Sequence, residues 1–129
     1  MKKEIIIILF IIVTISVLHA ITQTSSSNIF ESISSELTDI EDKIVVDDVN
    51  TDDVNKSIDE LQDKWREKYD LYACFIEHDE LEKVSTQLIS ISTNIRIKNY
   101  DRSVDEIEKC KFILRHIQDK DSLKFVNIF

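Results

Sequence analysis

Neither glycine nor proline occurs in the 129 residues of this chain. Tight hairpin turns draw on the positive φ of glycine or the preset φ of proline. Phosphate-cradling loops and nucleophile elbows need glycine so that the backbone can approach closely. A chain lacking both residues builds none of these in standard form. Helices joined by Asn, Asp, Thr and Ser turns need neither, so the chain reads as all-α.

The first of those helices should cross a membrane. Residues 5–21, IIIILFIIVTISVLHAI, form one apolar run behind Met1-Lys2-Lys3-Glu4. As a helix rising about 1.5 Å per residue, the run reaches roughly 25 Å, enough to cross a hydrocarbon core. Lys2 and Lys3 precede it, and positive charge stays on the cytoplasmic side. The expected organisation is a cytoplasmic N-terminus over 1–4 and a transmembrane anchor over 5–21. A polar spacer over 22–28 and an extracytoplasmic helical domain over 29–129 follow. Leu18-His19-Ala20 also looks like the end of a secretory signal. Leu18 is large at a position that favours small residues, and the run exceeds an ordinary signal h-region of about 7–15 residues. No cysteine follows closely enough for lipoprotein processing. An uncleaved single-pass cell-membrane anchor, N-terminus inside, is the expectation.

Charge narrows the partners. The chain has 16 Lys and Arg against 25 Asp and Glu, a net charge of −9. Without Lys2, Lys3 and Glu4 the remainder holds 14 against 24, or −10. Such a surface repels phosphate backbones and anionic headgroups, which excludes nucleic acid as a partner.

Beyond the spacer, apolar residues recur at spacings of three and four, the stripe of an amphipathic helix. Ile29, Phe30, Ile33, Leu37, Ile40 and Ile44 form the first stripe, which loses its rhythm over 45–50. A second helix should begin at Thr51 or Asp52, acting as its cap, and run to about His78. Its stripe is Val54, Ile58, Leu61, Trp65, Tyr69, Tyr72 and Ile76. Asp79 and Glu82 fit a capping box for a third helix, striped by Leu81, Val84, Leu88, Ile91 and Ile95. Ser85, Thr86, Ser90, Ser92, Thr93 and Asn94 give that helix a Ser/Thr/Asn face, expected to be exposed. Ser103 and Glu106 suggest a second capping box on the fourth helix. There Val104, Ile107, Cys110, Leu114 and Ile117 form the stripe, widened by Phe112 and Ile113. Asp121-Ser122 should start a short apolar tail, Leu123 to Phe129, docked on the rest. Glu60–Lys64 and Asp105–Lys109 are spaced for ion pairs along a helix.

The expected architecture is therefore a transmembrane helix followed by two antiparallel helical hairpins. They form either a four-helix bundle or a short repeat-like stack. Trp65, Leu88 and Leu114 are expected in its core.

Two cysteines, Cys74 and Cys110, lie where a disulfide is chemically allowed, but only Cys110 falls near a stripe. One buried thiol and one incidental thiol are expected.

One constellation has chemical promise. In a hairpin turning near Asn99, residue 78 lies level with residue 119. His78 and Glu82 would then share an end with His116 and Asp119, a donor set able to hold zinc or another divalent ion. The competing reading makes these residues helix-end caps. It is preferred, since no spacing here is diagnostic of a metal; no metal, cofactor or catalytic residue is expected. Without glycine there is no elbow or nest to shape an oxyanion site, so the chain is not expected to be an enzyme. An accessory or interaction module for another membrane protein is the leading functional reading. The alternative is a sensor or buffer that binds a small ligand or cation.

Over nearly its whole length, and most clearly from Trp65 onward, the chain resembles a family of short membrane-anchored proteins of spore-forming Gram-positive bacteria, Domain of unknown function 4363. The likeness rests on the Ile-rich N-terminal span, Trp65, and His78-Asp79-Glu80-Leu81. It is closest over Lys111-Phe112-Ile113-Leu114-Arg115-His116-Ile117, Ser122-Leu123-Lys124 and Asn127-Ile128-Phe129. Gln118 departs from the pattern, which often has proline there. The resemblance implies topology and location, with no biochemical activity attached. It also implies a YetF-like multi-pass membrane protein as a candidate partner.

Overall fold

The computed structural model describes residues 1–128, apart from the side chains of 22–27 and 121–128. Four helices and no strand occur among the described residues: α1 (Lys2–Ile44), α2 (Thr51–Ala73), α3 (His78–Arg96) and α4 (Tyr100–Ile128). Consecutive helices run antiparallel through short turns. α1 packs on α2, α2 on α3, α3 on α4 and α4 on α1, and at one end Thr51 of α2 reaches the Tyr100 hydroxyl of α4 at 3.1 Å. That closed ring is a four-helix bundle, the first of the two expected arrangements.

The stripes account for the ring. Phe30, Ile33, Leu37, Ile40 and Ile44 of α1 are buried, as are Val54, Ile58, Leu61, Trp65 and Tyr72 of α2. So are Leu81, Val84, Leu88, Ile91 and Ile95 of α3, and Ile107, Cys110, Leu114 and Ile117 of α4. They form one continuous core, which includes Trp65, Leu88 and Leu114. Each buried aliphatic side chain contributes about 1.5–3 kcal/mol relative to exposure.

α1 has two parts of different character. Lys2–Ile21 is long and apolar enough to cross a membrane, and none of it is buried against the rest of the chain. Its hydroxyls are satisfied inside the helix: Thr14 Oγ1 donates to the Phe10 carbonyl at 2.8 Å and Ser16 Oγ to the Ile12 carbonyl at 2.9 Å. Such internal bonding is what lets hydroxyls sit in hydrocarbon. Residues 22–28, expected as a spacer, lie within the same helix, which then enters the bundle at Ile29 and Phe30.

The helix ends differ from expectation. Asn50, in an extended conformation, caps α2 by accepting from the Asp53 amide at 3.2 Å, so neither Thr51 nor Asp52 is the cap. α2 stops at Ala73, short of His78, because the turn over 74–77 folds Ile76 back into the core. Glu77 occupies the α3 cap position without a side-chain hydrogen bond to the first-turn amides, and no Asp79 box forms. Asp79 and Glu80 instead place negative charge in the first turn, where the helix dipole favours it. Asn99 caps α4, accepting from the Arg102 amide at 3.4 Å. Ser103 is buried one turn inside, donating to the Asn99 carbonyl at 2.9 Å. α4 continues past Asp121-Ser122 to Ile128 with no break. The expected docking of Leu123 to Phe129 lies outside the described side chains.

Three side-chain expectations are also corrected. Phe112 is 66% exposed and does not widen the core. The Ser/Thr/Asn face of α3 is largely taken up by packing. Ser92 and Asn94 are buried, and Ser85 accepts the Trp65 Nε1–H bond at 2.7 Å. A helix wedged between two neighbours buries its flanks as well as its stripe. Lys64 crosses to Glu36 of α1 instead of pairing with Glu60, and Lys109 turns to Glu106 at 3.2 Å instead of Asp105.

The α3–α4 turn shows the cost of having no glycine. Lys98 stands at φ +58°. Its amide bonds the Ile95 carbonyl at 3.0 Å and the Asn99 amide bonds the Asn94 carbonyl at 2.9 Å, the Schellman pattern that ordinarily places glycine there. A side chain in this left-handed region costs about 1–2 kcal/mol. Lys98→Gly is therefore expected to stabilise the bundle by about 1 kcal/mol, raising the melting temperature by about 4–8 °C for a domain this size. Thermal circular dichroism of the two chains checks it, and an unchanged or lower midpoint would show the turn unstrained.

Candidate functional site

The end of the bundle that gathers the α3 start, the α2–α3 turn and the last part of α4 holds the four residues singled out from sequence. His78 is the first residue of α3. Its Nε2 lies 3.0 Å from Glu82 Oε1, one helical turn on. Its Nδ1 lies 3.2 Å from the Tyr69 hydroxyl of α2, with the two rings edge to face at 6.1 Å. Both imidazole nitrogens thus already have partners, and the trio ties α2 to α3 at the surface.

The expected register between α3 and α4 is present. The cross-helix contact at this level, however, is made by Lys120. Its ammonium lies 2.9 Å from Glu77 Oε2 and 3.7 Å from Glu80 Oε1. The Glu77 hydrogen bond lifts the Lys120 pKa above its ordinary value, against a smaller pull from desolvation, and the Glu80 charge adds to the lift. Lys83 Nζ approaches the same Glu80 oxygen at 3.2 Å. His116 and Asp119 are exposed on α4. No group of three or more His, Cys, Asp or Glu side chains converges as a metal site among the described residues. The cation set among these carboxylates is the chain's own lysine. Glu80 is 7% exposed, and its second oxygen has no hydrogen-bond partner in the structure.

The thiols divide as expected. Cys74 is exposed, Cys110 is buried, and both are free. Burial pushes the Cys110 thiol up to about 12, so it is an inert core residue.

Two arrangements escaped the sequence reading. Glu106 is buried against α3, where Gln87 donates both to its backbone carbonyl at 3.0 Å and to its carboxylate. Lys109 Nζ lies 3.2 Å and Arg102 Nε 3.9 Å from the same carboxylate. Burial pushes this carboxyl up, but the Gln87 and Lys109 hydrogen bonds and the two cationic charges outweigh it. They hold it below the usual range. The second is an open groove on the outer side of α3 and α4, lined by Gln87, Asp105, Glu108, Lys109, Phe112 and Ile113. Its apolar floor and charged rim suit protein contact better than catalysis. The signal for it was Phe112, one aromatic residue set off the buried stripe.

Neither a search of curated proteins nor a search of solved structures returned a match. A family profile does match, over residues 20–128, nearly all of the chain beyond the apolar span. On that match the chain belongs to the family described as Domain of unknown function (DUF4363).

Proposed function

We propose that the chain is a membrane-anchored, non-enzymatic accessory module. Its bundle stands on the extracytoplasmic side and binds or steadies another membrane protein. The observation that carries the reading is the continuity of α1, whose exposed apolar half becomes, without a break, the first core helix of the bundle. A bundle held in this way stays at the bilayer, where its partners are other membrane proteins. Lys2 and Lys3 favour an N-terminus inside. The outer groove centred on Phe112 is the docking candidate. Aromatic side chains dominate interface hot spots, and Asp105 and Glu108 rim this one with negative charge. The YetF-like membrane proteins implied by family resemblance are the first partner to test.

The experiment is photocrosslinking from position 112 of the intact chain in native membranes, followed by identification of the adduct. A single membrane protein captured in stoichiometric amount, and lost in competition with untagged chain, is the expected result. Absence of any adduct from position 112, together with ligand-dependent melting of the purified chain, would replace the reading with a ligand-binding one. Orientation is checked separately. Protease added outside intact cells should digest the bundle without prior lysis.

A further inference from the structure

Between Asp70 and Glu77 the α2–α3 turn carries no charge, Leu71-Tyr72-Ala73-Cys74-Phe75-Ile76, in a chain that is 32% charged. Tyr72 and Ile76 point into the core. Leu71 is 52% exposed, Ala73 and Cys74 are exposed, and Phe75 is half-buried. An apolar turn left open in an acidic protein calls for something to cover it.

Its height above the membrane follows from α1. Phe30 and Tyr72 meet with ring centroids 6.1 Å apart, so that part of α2 lies level with Phe30. Lys43 with Ser57, and Lys64 with Ser32, fix the same antiparallel register farther along. Phe30 follows Ile21, the last residue of the apolar span, by nine residues, or about 14 Å at 1.5 Å per residue. The chain returns from Tyr72 to Phe75 by three residues, about 4–5 Å. Phe75 thus lies roughly 9 Å beyond the end of the span, comparable with a headgroup layer of about 5–8 Å per side. An ordinary anchor tilt of about 20° brings one side of the bundle closer still. At the same end Lys120 bonds Glu77, and the α4 backbone continues toward the membrane as far as Ile128.

We infer that the α2–α3 turn, Leu71 to Ile76, rests in the headgroup region of the bilayer that α1 crosses. The covering surface is lipid. This contact holds the bundle at a fixed tilt on the membrane and leaves its outer groove facing sideways, along the plane in which other membrane proteins diffuse. It rests on the anchor reading above but not on which side of the membrane the bundle occupies. The acidic side chains flanking the turn, Asp70 and Asp79, favour zwitterionic over anionic headgroups there.

The chain supplies its own probe, because Cys74 is exposed at the turn while Cys110 is buried. A nitroxide attached to Cys74 of the full chain in phosphatidylcholine nanodiscs reports oxygen and aqueous nickel accessibility. Two comparison chains carry Cys74→Ser, one with Asp48→Cys at the opposite end of the bundle and one with Val13→Cys inside the span. The expected result is an oxygen-to-nickel ratio at Cys74 several-fold above that at Asp48→Cys and below that at Val13→Cys. If Cys74 matches the Asp48→Cys label while the Val13→Cys label reads as lipid-buried, the turn does not touch lipid and the anchor stands. If the Val13→Cys label is itself water-accessible, both readings fall. A Cys74→Ser, Leu71→Cys chain repeats the measurement one turn up α2, where a smaller rise is expected.

Discussion

Trp65→Ala is expected to remove about 3–5 kcal/mol from the bundle, the usual cost of deleting a large buried aromatic. Trp65 is 3% exposed. Its ring packs on Tyr72 at 5.3 Å and edge-on to Tyr69 at 6.3 Å, and its Nε1–H reaches Ser85 of α3 at 2.7 Å. Truncation therefore opens a cavity, loosens two tyrosines and breaks a bond between helices. Against a total stability of about 5–15 kcal/mol, that is a large share. With a urea dependence of about 1–3 kcal/mol per molar, the midpoint should fall by roughly 2 M. Circular dichroism of the full chain in micelles reads it, since the span stays helical and only the bundle unfolds. Trp65→Phe keeps most of the apolar bulk and should lose about half as much. A drop in the alanine chain no larger than that of an exposed control such as Lys56→Ala would remove Trp65 from the core.

That Trp65 belonged inside was legible in sequence, as were all four stripes. Apolar residues spaced three and four apart cover one face only if the chain is helical. Where the helices end was far less legible. With no glycine or proline, each terminus is set by a weak local competition. Asn50 and Asn99 won it at α2 and α4, a residue or more ahead of the expected caps. At α2 the inward pull of Ile76 closed the helix several residues early. Rotation about each axis was the other gap. Periodicity locates the centre of the buried face but not its width, so Ser92 and Asn94 were read as exposed and Phe112 as core. The four candidate metal ligands do not converge among the described residues: Lys120, one turn beyond His116 on nearly the same side of α4, meets the carboxylates of Glu77 and Glu80. The cross-helix Gln87–Glu106 bond had no sequence signal, because Glu106 sits at a position where surface charge is ordinary.

Glu106 makes the bundle acid-sensitive, and the direction follows from its surroundings. Its folded pKa lies below the usual value near 4.5, so the fold favours the carboxylate. Stability from such a group is complete above the unfolded pKa and is lost as pH falls through the depressed folded value. Glu108 acts in the same sense, lowered chiefly by its bond from Lys111. Lys111 is pulled down by burial and lifted further by Glu41 and Glu108, so its contribution persists until pH rises through its raised value. A plateau is therefore expected from about pH 5 to the alkaline range, with a falling limb below about pH 4. Glu106→Gln keeps an acceptor for Gln87 but gives up the charge that Lys109 and Arg102 approach. At pH 7 it should cost about 1–2 kcal/mol, the worth of a charge-assisted bond with exposed partners. By pH 3 the native chain has lost much of the same interaction, so the two melting temperatures should draw together. Thermal unfolding of both chains at the two pH values measures this. A gap that stays constant from pH 7 to pH 3 would mean the Glu106 charge contributes nothing, and that its side chain acts through shape alone.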